Sequence, residues 1–103
     1  MERIEKLKEM LKSAPDDSFL KHALALELVK KGEDVDARTL FESILENEPE
    51  YVGSYYHLAR LLERMDEIKS AIEVYEKGMT ECRKINDRHA LNELQMAYDD
   101  LTN

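Results

Sequence analysis

Apolar residues recur along this chain at three- and four-residue spacing almost without interruption, a pattern that predicts about six helices in succession. In the first, Ile4, Leu7 and Leu11 share one face with Met10 beside them, and Pro15 closes the run. A second helix is expected from about Asp17 to Lys31, with Gly32 placed to end it. A third spans roughly Asp34 to Asn47, stopped before Pro49 because the residue preceding a proline is disfavoured in the helical region. The fourth covers about Tyr51 to Met65 and the fifth about Glu67 to Ile85. Asp87 is placed to cap the last, which sets Leu91, Leu94, Tyr98 and Leu101 on one face.

The helices repeat. Pro15 and Pro49 stand 34 residues apart, and shifting the chain by that distance superimposes Leu24 on Leu58, Ala25 on Ala59 and Leu28 on Leu62. The same shift lays Glu33 on Glu67, Ala37 on Ala71 and Phe41 on Tyr75. Most of the matches fall on small or apolar positions with helical spacing, which a chance alignment would not favour.

This period and these residues resemble the tetratricopeptide repeat, a 34-residue helix–turn–helix unit. The first copy carries Lys21, Leu24-Ala25, Leu28, Ala37, Phe41 and Pro49 at the signature places, and the second carries Tyr55, Leu58-Ala59, Leu62, Ala71 and Tyr75. The resemblance implies an all-α fold, a right-handed α-solenoid of helical hairpins forming one domain over residues 1–103. Within it, residues 2–14 form the second half of an incomplete repeat, 18–51 and 52–85 form full repeats, and 87–102 form a solvating cap. Three departures stand out. Lys21 occupies an aromatic place and must pack through its aliphatic stem. Gly78 replaces a usual alanine, at about 1 kcal/mol of helix propensity. Arg83 replaces the second proline, so the fifth helix is expected to run on past the usual boundary.

Composition narrows the function. One cysteine, Cys82, cannot form an internal disulfide. The amino terminus lacks the apolar run of a signal peptide, and no stretch approaches the roughly 20 apolar residues of a membrane span. A cytoplasmic protein without membrane association is therefore expected. The net charge of −8, from 23 acidic and 15 basic residues, disfavours nucleic acid as a partner. Seven acids crowd between Glu33 and Glu50 against one base, Arg38. They read as a solvated face or as an attractive patch for a basic partner.

Catalytic and metal constellations fail in turn, so no enzyme activity, cofactor or metal is expected. His22, His57 and His89 have no zinc-motif spacing. The residues three before them, Phe19, Ser54 and Asn86, exclude the paired Glu-x-x-His design of helical di-metal sites. His89 and Glu93 read as a surface ion pair, and Cys82 as a small buried hydrophobe. Of the tyrosines, Tyr55 fills the aromatic place of the repeat and is expected in the core, and Tyr51 is expected to pack at the helix entry.

The second helix has two apolar sides. Leu20, Leu24 and Leu28 form one stripe, expected to be core, while Phe19, His22, Leu26 and Val29 cluster opposite. A helix apolar on both faces needs cover on both. By the resemblance, that second stripe occupies groove-lining places, and the repeat shift adds Gly53, Tyr56, Arg60 and Glu63 from the next repeat. Apolar surface, an aromatic anchor and a cation suit a peptide or protein segment. Family members that bind chaperone tails use a lysine and asparagine clamp where this chain has His22 and Leu26, so that ligand is not supported. Three readings stay open: a peptide-binding groove, a homodimer using the same stripe, and a stripe covered by the chain's own packing.

Overall fold

A computed structural model describes residues 2–103, and its six helices fall close to the sequence expectation: α1 Arg3–Ser13, α2 Ser18–Lys31, α3 Asp34–Asn47, α4 Gly53–Arg64, α5 Ile68–Ile85 and α6 Arg88–Thr102. Local chemistry sets their ends. Asp17 and Asp87 each accept a backbone N–H three residues on, at 3.0 Å, which satisfies one free donor of α2 and of α6. Pro49 lies just beyond α3, whereas α5, with Arg83 in the corresponding place, continues to Ile85 and ends at a left-handed Asn86.

The two hairpin turns share one solution. Gly32 adopts φ +80° and ends α2 with two backward hydrogen bonds, Gly32 N–H to Val29 and Glu33 N–H to Leu28. One repeat later Asp66 takes φ 62°, with Asp66 N–H to Glu63 and Glu67 N–H to Leu62. This is the same doubly bonded helix stop, built on a residue that pays a steric penalty for a left-handed backbone.

The hairpins α2/α3 and α4/α5 stack side by side, with α1 against α2, α3 against α4 and α6 against α5 and α4. The odd-numbered helices thus form one layer and the even-numbered helices the other. Ala25, Ala59, Ala37 and Ala71 have no exposed surface, as expected where helices approach too closely for larger side chains. Phe41 and Tyr75, equivalent across the repeat, are likewise wholly buried. The core runs as two joined clusters, one around α2 to α4 and one around α4 to α6.

Three positions behave differently from the sequence pattern alone. Leu20 is only half-buried, beside the buried Leu24 and Leu28, so the core stripe of α2 thins toward its amino end. Lys21 is 7% exposed, and its Nζ donates to Ser43 Oγ at 3.0 Å. Its stem fills the aromatic place and a hydroxyl across the hairpin takes its charged tip. Gly78 is no simple loss of helix propensity, because an added Cβ would meet Tyr55 and Leu94 below 3.0 Å.

Candidate functional site: the α2/α4 face

The even-numbered helices present the face that the second apolar stripe of α2 predicts, but its residues differ widely in availability. Phe19 projects with 68% of its surface exposed. Leu26 and Val29 are half-buried and pack against the first core cluster. His22 is also half-buried: its Nδ1 lies 2.7 Å from Oγ of the fully buried Ser54, a hydrogen bond that ties α2 to α4. On α4, Gly53 is exposed and Tyr56 is half-buried against the second cluster. The exposed Arg60 sets its guanidinium 6.0 Å from the Tyr56 ring centre, within cation–π range. Glu63 lies 4.0 Å from Arg60 and accepts a hydrogen bond from the Tyr75 hydroxyl at 2.5 Å, so α5 holds it from behind.

Val29, Arg60 and Glu63 come together around a concavity of about 440 Å³, whose remaining lining is His57, Leu61 and Arg64. Phe19 lies outside it, nearer the amino end of α2. His57, Leu61 and Arg64 are the contributors that reading one stripe per helix missed. Arg64 was legible, since the repeat shift pairs it with Lys30. Its guanidinium is bound by both carboxylate oxygens of Asp34 and donates to the Val29 carbonyl at 3.2 Å. It thereby gives a second donor to a carbonyl in the last turn of α2 that already accepts from the Gly32 N–H. The Asp34 hydrogen bond raises the arginine's affinity for its proton further. Arg60 is exposed, and among the described residues its one ionic contact is the long one to Glu63, beside the Tyr56 ring.

Beneath this face lies a cluster of rings. His22 stands 5.3 Å from His57, 5.6 Å from Phe41 and 5.9 Å from Tyr51, centre to centre. Burial lowers the pKa of His22, helped by repulsion from His57, and burial lowers that of His57 against a smaller opposing pull from Glu93. Both imidazoles are therefore neutral near pH 7, and that of His22 is engaged by Ser54. The hydroxyl bonded to His22, that of Ser54, has no exposed surface. Cys82 is fully buried on α5, and burial pushes its thiol pKa up, the reverse of what a reactive thiolate needs. His89 and Glu93 form an exposed pair at 3.8 Å. Among the described residues no group of three or more His, Cys, Asp or Glu is arranged to hold a metal ion. No helix among them is long and apolar enough to cross a membrane.

Comparison with known proteins places this architecture. No protein-family model and no curated protein sequence matches the chain. Solved structures do. The crystal structure of a tetratricopeptide repeat domain protein from Salinibacter ruber is 40% identical, with 82% of this chain and 94% of that chain covered and a TM-score of 0.78. A solution structure of a tetratricopeptide repeat domain protein from the same organism, also 40% identical, gives 0.81 over 85% of this chain and 89% of that one. The TPR2B domain of yeast Sti1, in its complex with pHsp70, shares the fold at a TM-score of 0.88. It covers 96% of this chain and 79% of that chain at 23% identity. With its 34-residue period, its buried alanines and a 40% identical relative matched over nearly its whole length, the chain belongs to the tetratricopeptide repeat family.

Proposed function

We propose that the chain is a non-catalytic protein-interaction module that holds a peptide or protein segment against the α2/α4 face. One observation carries this reading: an exposed aromatic, Phe19, and a cation without a close partner, Arg60, flank half-buried Leu26 and Val29 and an open concavity. An apolar ligand side chain would complete the burial of Leu26 and Val29. Arg60 would grip a carboxylate or carbonyl of the same segment, and Phe19 would anchor its other end. The complex of the yeast Sti1 domain with pHsp70 supports the reading in kind, since the same fold there engages a partner. The ligand here differs from one read by a lysine and asparagine clamp, because His22 and Leu26 fill those places and His22 is spent on Ser54.

The test is capture from native extract with the parent and with Phe19→Glu and Arg60→Glu variants, alongside sedimentation of each protein. Both side chains are exposed, so melting should hardly move, while recovery of the specific partner should fall about tenfold or more. Unchanged recovery from both variants would place binding elsewhere. A parent dimer dissolved by Phe19→Glu would instead assign the face to self-association.

A further inference from the structure

The opposite side of the molecule carries a second depression, which the groove reading leaves unused. α3 and α5 each pack on α4 but not on one another, so they stand apart over it. The gap is a slot of about 300 Å³, at the small end of the roughly 300–1,000 Å³ typical of ligand clefts. Buried Tyr55 and Leu58 of α4 form its floor, and half-buried Leu45 of α3 and Val74 of α5 form its walls. Leu45 and Val74 each touch both core clusters, so the slot lies over the seam where the two repeats meet.

Its rim is acidic. Of the seven carboxylates between Glu33 and Glu50, two fall here, Glu42 and Glu46, and α5 adds Glu73 and Lys77. Glu42 is paired with Arg38 at 2.9 Å, and Lys77 is committed to Glu81 at 3.0 Å. Among the described residues neither Glu46 nor Glu73 has an ionic partner, and both are exposed. One uncommitted carboxylate therefore stands on each wall of an apolar slot.

We propose that this slot is a docking site for a basic protein segment, which inserts one leucine- or methionine-sized side chain between α3 and α5 and sets lysine or arginine against Glu46 and Glu73. Charge selects this occupant. A purely apolar partner would desolvate both carboxylates without compensation. Phosphate-rich partners are repelled by the same rim. A second copy would bring another net charge of −8 against it.

The probe is a blocked synthetic peptide with one leucine between pairs of lysines, titrated at low salt into the ¹⁵N-labelled protein. Amide shifts should cluster around residues 45–46 and 73–74. Replacing the peptide's leucine by serine should weaken binding about fivefold or more. Glu46→Lys with Glu73→Lys should weaken it about tenfold or more. Glu5→Lys with Glu9→Lys makes the same charge change on α1, which packs on α2 alone, and should cost less than about twofold. Equal weakening by both pairs would reduce the effect to bulk charge and overturn the proposal. So would shifts centred on α2 and α4, no saturable shift, or slot amides that move with the concentration of the protein alone.

Discussion

Gly78 on α5 lies against Tyr55 on α4 with no room for a side chain between them: a Cβ added there would sit 2.7 Å from Tyr55 Cβ and 2.8 Å from its Cγ. Those atoms belong to the root of a buried tyrosine whose hydroxyl donates to the Pro49 carbonyl at 2.7 Å, so the ring cannot easily swing away. The helix pair therefore closes on a glycine.

Gly78→Ala is accordingly expected to destabilise the fold. The substitution returns about 1 kcal/mol of helix propensity, but overpacking at a closed contact costs about 1–3 kcal/mol. The difference leaves a net loss of up to about 2 kcal/mol, centred on about 1 kcal/mol, as the expected result in chemical denaturation. A variant as stable as the parent would mean that α4 and α5 can part without cost.

Asp66→Gly should act in the opposite direction. Asp66 holds φ 62° in the second hairpin turn, where the first has Gly32 at +80°. Relieving the left-handed strain should add about 0.5–1 kcal/mol, and Gly32→Asp should remove a similar amount. Urea melts of the two variants check both signs; a less stable Asp66→Gly would show that the carboxylate contributes more than the strain it causes.

Ala37→Leu and Ala71→Leu enlarge two equivalent positions that have no exposed surface. Each should cost about 1–3 kcal/mol in chemical denaturation. Neutral outcomes at both would mean that the helices do not close on these alanines.

The His22–His57 cluster gives a pH dependence. Both pKa values lie below the ordinary 6.5 in the folded state, so as the pH falls the unfolded chain takes up protons first. The stability contributed by the neutral rings is complete above the unfolded value and is lost as the pH falls through the lowered folded values. The urea midpoint should therefore decline from about pH 7.5 to about pH 5.5. A His22→Gln, His57→Gln double variant should start less stable but show a flatter profile. Parallel profiles would assign the decline to other groups.

Much of this was legible along the chain. Helical periodicity placed six helices, the two aspartate caps announced the starts of α2 and α6, and the 34-residue shift identified the alanines of closest approach. It also led to the expectation of Phe19, Tyr56 and Arg60 on one face, because α2 and α4 are equivalent helices of successive repeats. Asp66 was within reach of the same shift from Gly32, but aspartate in an acidic, charged stretch carries no outward sign of a left-handed turn.

What the sequence by itself determined was local: where each helix begins and ends, and which side of it turns inward, since both follow from spacing and from groups a few residues apart. The tertiary structure alone decided how near two such sides come. It took Gly78 from a weak spot in a helix to a required contact with Tyr55, sank the charged end of Lys21 onto Ser43, and engaged His22 with Ser54. It also left α3 and α5 parted over Leu58, opening a slot at the join of the repeats. Distances of this kind depend on side-chain volumes summed over several helices at once, and no single period along the chain encodes that sum.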